Sequence, residues 1–565
     1  MPTLHWIGKE KVQTHHNDVP YRVLEKQYTY GKYGNAWDAG ASPAVVGVNT
    51  DSPSSEGGVG EVYNNMIIHG DNLEALKALL PEYQGRVDCI YIDPPYNTGN
   101  EGWVYNDNVN DPHIRKWLGA VVGKEAEDLT RHDKWLCMMY PRLVLLQKLL
   151  SPTGAIFISI DDNEQANLKL ICDEIFGAGN FVNNFMWLHG KGKKDRFSRT
   201  LQQYVIVYAK NRDLLPEWND KSYTNYEFTN PDNDLKGKWF SGSLSFSESR
   251  SNPLHPNFYE ITSPTGVVWK RQWQVSKNEM QQLIDNGDIS WGNPISCDGV
   301  PRQKIRPTII DIIPNNIIEA CGTTKSAEND LFTIFGKSVF DYPKPTQLIE
   351  HLLQIAQLSP NALILDSFAG SGTTAHAVLN LNKQDGGHRR FILVEMCDYA
   401  ETITAERVRR VIDGYGEGSK AVEGTGGSFA FYELGDTIYD PQTGLLNDYA
   451  DTEQIRRYIW FSETNTPYHS PLESSTDDAG RVVPTLPTPS TPHPYLLGRK
   501  DGTNYYFYYR RDEETVLDRA FLNTFTPADQ AEQYIIYADC CRLSRDFMLT
   551  HHITFKQIPR DIKKV

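Results

Sequence analysis

At 565 residues the chain is too long for one hydrophobic core, and roughly 150 residues per domain predicts three or four domains. The composition, 39% hydrophobic and 23% charged, is that of a soluble globular protein, and no apolar run approaches the ~20 residues that span a bilayer. A formal charge of -16 argues against a coat for nucleic acid along the whole chain, and eight scattered cysteines without a C-x-x-C pair argue against a zinc site or a disulfide framework.

The N-terminus, MPTLHWIGKEKV, lacks the apolar segment of a secretory signal, so a cytoplasmic location is expected, with no membrane partner and no metal. From Met66 the chain reads as strand, helix, strand: MIIH, then NLEALKALL with Asp71 able to cap it, then VDCIYI. That last strand runs into Asp93-Pro94-Pro95-Tyr96, two prolines between a carboxylate and an aromatic ring. In open α/β sheets the carboxyl end of a strand is where ligands bind. DKWLCMMYPRLVLLQKLL has helical apolar spacing with Asp133 as its predicted N-cap, and GAIFISI and QQYVIVYAK read as further strands.

From about Trp187 to Thr308 regular alternation stops, and residues 186–275 hold 13 Lys or Arg against 9 Asp or Glu. Basic residues interleaved with aromatics, as in GKGKKDRFSRT and VVWKRQW, suit phosphate contacts and base stacking; an ordinary solvated insertion has the same composition. Alternation resumes with KPTQLIEHLLQIA (helix), NALILDSFAGSGTTAHAVLNLN (strand, glycine loop, helix) and RRFILVEM (strand). The glycine loop lets backbone approach a ligand at a helix start. It is not a dinucleotide fingerprint, since Ala375 stands where the third glycine belongs, nor a Walker A loop, since it has no lysine. IFGKS fails as well, with Leu331 in place of the first glycine. Glu395 ends the next strand 23 residues beyond Gly372, a distance at which a carboxylate can accept from ribose hydroxyls. Ser474–Pro494 is a Pro/Ser/Thr-rich loop or linker, and the remainder reads as a small α/β unit.

DPPYNTG together with FAGSGTT resembles the paired catalytic and S-adenosylmethionine motifs of amino-group DNA methyltransferases, and the DPPY-first order resembles their permuted β class. HGDNLEAL, YVIVYAK and KPTQLIEHL stand where that family has companion motifs, and the likeness extends over roughly residues 61–435. The forms DPPYNTGN...YNDN and YADCCRLS...ITFKQIPRDI are similar to modification subunits of type III restriction systems. The resemblance implies an α/β, Rossmann-like methyltransferase sheet with an inserted target-recognition domain and a small C-terminal α/β domain. The expected boundaries are an extension (1–60), a catalytic half (61–186), the insertion (187–330), a cofactor half (331–435) and the C-terminal domain (436–565).

The implied reaction moves a methyl group to the exocyclic N6 amine of a flipped-out adenine in double-stranded DNA. Cytosine N4 methylation, or a DNA-binding specificity subunit with a degenerate site, stands as the alternative. Asp93 and the Pro94 carbonyl would accept the amine hydrogens, Pro95 would stiffen the corner, and Tyr96 would stack on the base. The cofactor set carried over is Asp71 (adenine amine), Phe368 (ring packing), Glu395 (ribose), Lys344 and Thr346 (methionine end), and the run Asp366, Ala369, Gly370, Ser371, Gly372, Thr373 and Thr374. Lys193, Lys194, Arg196 and Arg199 are the expected DNA contacts. No motif for ATP-driven translocation is present, so a restriction or helicase subunit is a further expected partner; a second copy of the chain is another.

Overall fold

The computed structural model describes residues 4–31, 65–98, 131–190, 197–223, 229–232, 234–306, 309–440, 442–468 and 493–560. Its main feature is a ten-stranded sheet built from β1 (Arg22–Gly31), β2 (Asn65–His69), β3 (Val87–Ile92), β4 (Leu150–Ile160), β5 (Phe181–Leu188), β6 (Gln202–Ala209), β7 (Ile317–Ile318), β8 (Leu363–Asp366), β9 (Arg390–Glu395) and β10 (Ser428–Thr437). They lie in the order β1-β10-β2-β9-β8-β3-β4-β6-β5-β7. Strands β10 through β4 of that order are mutually parallel, whereas β1 and β6 run against their neighbours. Parallel strands covered on both faces need unbroken apolar runs, which is why VDCIYI and LILD carry so little polarity.

Five helices carry residues of the site or of the core behind it: α1 (Asn72–Tyr83), α2 (Arg131–Leu149), α3 (Thr346–Ile355), α4 (Thr373–Asp385) and α5 (Glu406–Asp413). Asp71 caps α1, accepting from the backbone N–H of Leu73 at 2.8 Å and of Glu74 at 3.3 Å. Arg131 is already helical in α2, so Asp133 lies inside the helix and not at the predicted cap. Leu73 and Leu76 of α1, Trp135 and Leu146 of α2, and Ile90, Ile156 and Val394 of the strands share one core. Each such side chain contributes about 1.5–3 kcal/mol by leaving water.

The strand order is what builds the site. β8 sits between β9 and β3, with Asp366 beside Leu393 and Leu365 beside Ile90, and β9 pairs with β2 through Glu395 and His69. The carboxyl ends therefore present Asp71, Glu395, Asp366 and Asp93 side by side, although β3 and β8 are far apart in the chain. This is the doubly wound arrangement expected of the two half-sheets.

Contacts divide the described chain into two compact units, Trp218–Pro314 and the rest. The smaller unit is narrower than the expected 187–330 insertion: β6 and β7, which flank it, are strands of the main sheet. It has its own core of Leu244, Ile261, Trp273, Met280 and Ile289, and a nine-residue helix, Lys277–Asp285, started by a Ser276/Glu279 capping box. That helix is too short for its period to stand out from the surrounding sequence. The C-terminal strands Leu496–Lys500, Thr503–Phe507, Gln533–Ala538 and Ile553–Gln557 form a separate four-stranded sheet. Leu497 and Phe507 from it share a core with Val23 of β1 and with Ile455 and Trp460, which joins this segment to the larger unit. All but the last two residues of the predicted 474–494 linker lie outside the described residues. Among the described residues no helix is long and apolar enough to cross a membrane.

Candidate active site

The carboxyl ends of β8, β9 and β3 open onto a cavity of about 600 Å³, a size that suits a nucleoside-sized ligand. Its wall includes Asp93 to Tyr96, Asp366 to Ser371, Thr373, Thr374, Glu395 and Lys344. The double-proline corner and the glycine loop therefore face one space.

At the corner, Lys344 Nζ lies 2.6 Å from Asp93 Oδ2 and 4.8 Å from the centre of the Tyr96 ring. Asp93 Oδ1 is buried and has no hydrogen-bond partner among the described residues. Lys344, expected at the methionine end of the cofactor, is thus paired with the corner carboxylate. The indole of fully buried Trp135 donates to the Pro95 carbonyl at 2.6 Å, and among the described residues the Pro94 carbonyl accepts no bond. Asn97 follows in the left-handed region, φ 57°, with its amide donating to Glu164. Glu164 is 0% exposed and also meets His132 Nδ1 at 2.6 Å and Asn167 Nδ2 at 2.8 Å. A non-glycine residue held at positive φ costs about a kcal/mol or more and persists only where its surroundings impose it. The Tyr96 hydroxyl donates to Gln203 Oε1 at 3.3 Å.

On the loop side, Asp366 accepts from the Phe368 N–H at 3.0 Å and from Thr374 Oγ1 at 2.5 Å. Burial pushes its carboxyl from 3.8 to about 7. Glu395 accepts from the Gly370 N–H at 2.7 Å and the Cys397 N–H at 3.0 Å, and burial raises it as well. Gly372 has φ 80°, and a Cβ there would stand 3.1 Å from the Thr404 carbonyl, so glycine is needed for the loop to pass. Asp71 combines its capping role with a contact from Arg142 Nη2 at 3.3 Å, and the Arg142 Nε donates to Asn72. Thr346, Ser371 and Thr373 converge on Arg407, which is 1% exposed.

Of the catalytic and cofactor residues expected at the site, all but Asp71, Thr346 and Gly372 line this one cavity. The structure does not place the expected DNA contacts: Lys193, Lys194 and Arg196 lie outside the described residues, and Arg199 is exposed. Sequence reasoning missed Trp135, Arg142, Glu164, Gln203 and Arg407. Two of these carried a signal. Glu164 stands four residues before buried Leu168, and Arg407 four before buried Val411, so each is a charge on an otherwise apolar helical stripe.

A DNA methylase family model matches residues 87–406. The chain is 39% identical over 355 residues to the Mod subunit of the type III restriction-modification enzyme StyLTI of Salmonella typhimurium, covering 58% of this chain and 52% of that one. It is 35% identical over 441 residues to the EcoPI Mod subunit of Escherichia phage P1, covering 70% and 63% respectively. To the type II methyltransferase M.KpnI of Klebsiella pneumoniae it is 33% identical over 358 residues, 59% of this chain and 80% of that one. The chain spans between half and two-thirds of the type III relatives it matches.

Proposed function

Because the chain belongs to the DNA methylase family, we propose that it transfers a methyl group from S-adenosylmethionine to the N6 amine of adenine in double-stranded DNA, as the modification subunit of a type III-like restriction-modification system. The observation that carries this reading is the Asp93 corner: a carboxylate with one oxygen engaged and, among the described residues, the other unpartnered, as is the Pro94 carbonyl, across a cavity from a glycine loop. Its working partners are then duplex DNA, a separate restriction polypeptide and a second copy of the chain, in the cytoplasm.

The residues fit the cofactor. The Gly370–Thr374 loop would hold it, with Phe368 against its adenine and Glu395 toward its ribose, and Asp71, set back from the cavity wall, would accept its adenine amine. Lys344 and Thr346 would serve its methionine end. When bound it supplies an electrophilic methyl group on a sulfonium. The target amine is a poor nucleophile because its lone pair is delocalised into the ring. Asp93 Oδ1 and the Pro94 carbonyl accept its two hydrogens, which favours a pyramidal nitrogen with the lone pair aimed across the cavity. Lys344 on Oδ2 leaves Oδ1 as the oxygen that receives the proton shed by the methylated amine. Tyr96 stacks on a base whose removal from the duplex costs a few kcal/mol, and positioning with electrostatics supplies most of the acceleration.

Incubating the full chain with methyl-labelled cofactor and unmodified genomic DNA, then reading modified bases directly, tests this. N6-methyladenine in one sequence motif is expected; N4-methylcytosine would move the assignment to cytosine, and DNA binding without transfer would leave a specificity subunit. We assign DNA reading to the 187–330 segment. Arg199→Ala should then lower the log-log salt slope of DNA binding by roughly 0.9, the loss of one phosphate contact.

A further inference from the structure

Arg407 is a guanidinium in the interior with no carboxylate to balance it among the described residues. It is 1% exposed, and Asp330 acts on it only through space. Lys344, Arg142 and Lys325 on the cavity wall are paired with Asp93, Asp71 and Glu328 respectively. A buried charge without a partner is costly, and folds keep one where something else supplies the opposite charge.

What Arg407 does touch is informative. Its Nη1 donates to Ser371 Oγ at 2.9 Å and Thr373 Oγ1 at 2.8 Å, and its Nη2 to Thr346 Oγ1 at 3.2 Å and His376 Nδ1 at 3.2 Å. Its Nε is buried without a partner. A guanidinium has five donors and no acceptor, so each hydroxyl that receives from it must turn its own hydrogen elsewhere. Ser371 and Thr373 line the cavity; Arg407 does not. Thr373 Oγ1 in turn donates to the Lys344 carbonyl at 3.4 Å, so the positive charge is presented to the cavity through the Ser371 hydroxyl, on a wall that carries Asp93, Asp161, Asp366 and Glu395 beside Lys344, Arg142 and Lys325. S-adenosylmethionine has one anionic group, its α-carboxylate; the wall cations Lys344, Arg142 and Lys325 are each paired with a carboxylate, whereas among the described residues the charge behind Ser371 is not.

Building on the methyltransferase reading, we infer that Arg407 is a positioning residue that, anchored on Thr373, orients the Ser371 hydroxyl into a subsite for the cofactor's carboxylate. Calorimetric titration of the full chain with three ligands tests it: S-adenosylmethionine, its decarboxylated form, and 5′-methylthioadenosine, which lacks the amino-acid end. The wild-type chain should prefer S-adenosylmethionine over the decarboxylated form by roughly 10–100-fold, as for hydrogen bonds to a charged group. In Arg407→Met that preference should collapse toward parity, with methylthioadenosine affinity unchanged. Should Arg407→Met fail to fold, Ser371→Ala removes the relay hydroxyl from the same wall and should lower the same ratio. A preference that survives in the folded variants, or equal loss for all three ligands, would overturn the assignment and return Arg407 to a structural role. A wild-type chain that binds none of the three would instead overturn the methyltransferase reading beneath it.

Discussion

The cavity and the Trp218–Pro314 unit handle charge in opposite ways. In the small unit, ten basic residues stand against eleven acidic ones, and the interior charges meet one another. Lys304 lies 2.6 Å from Asp232 and 2.7 Å from Asp234, and Arg306 lies 2.9 Å from Asp234 and 3.1 Å from Asp288. The Lys304 hydrogen bond foremost holds Asp234 well below the usual carboxylate range. Lys236, Lys270 and Arg271 are likewise engaged with Asp288, Glu260 and Glu248. Around the cavity, by contrast, Asp366 and Glu395 are buried and pushed upward, Asp93 keeps an unsatisfied oxygen, and Arg407 has no counter-ion among the described residues. Charges that cancel internally hold a fold together; charges left out of balance mark where a ligand is to complete the set.

The contrast is broken most severely at the corner. Asp93→Ala should reduce methyl transfer by at least about 100-fold, the scale for losing one placed transition-state contact, while cofactor affinity stays near wild type. Labelled-methyl transfer with calorimetric binding separates the two quantities, and transfer at the wild-type rate would remove Asp93 from the chemistry. Next in size, Glu395→Ala should weaken cofactor binding by about 1.5–3 kcal/mol, as for hydrogen bonds to a charged group. An unchanged dissociation constant would reduce Glu395 to a brace for the Gly370 N–H.

In the small unit the expectation reverses. Lys304→Met leaves Asp232 and Asp234 short of a partner and should cost about 1–3 kcal/mol of local stability, read as faster amide exchange within Trp218–Pro314, without change in cofactor affinity. Loss of cofactor affinity in that variant would erase the distinction between the two regions. The last expectation concerns Asp366. Its folded value lies above its ordinary one, so the folded state binds the extra proton between about pH 4 and pH 7. Its contribution is fully present below pH 4 and is lost as pH rises through 7. Asp366→Asn should therefore flatten that part of the melting temperature against pH, and an identical slope in both proteins would mean that the carboxyl titrates normally.

Local chemistry was legible from the chain alone wherever neighbouring residues carry it. The strands Val87–Ile92 and Leu363–Asp366, the Asp71 cap, the double-proline corner and the Gly370–Gly372 turn each depend on a few consecutive side chains and their allowed dihedrals, so sequence determined them. The family resemblance also grouped Asp93, Glu395 and the glycine loop, and the structure places them around one cavity. Which groups meet was decided by tertiary structure. Lys344 reaches Asp93 across 251 positions, and Arg407 reaches Thr346 across 61, only because β8 takes the place between β9 and β3. The extent of the small unit was settled in the same way, by β6 and β7 joining the main sheet. Local propensity acts over a few residues, whereas the balance of buried charge is a property of whatever the folded sheet brings within a few ångströms, and no spacing in the chain encodes that distance.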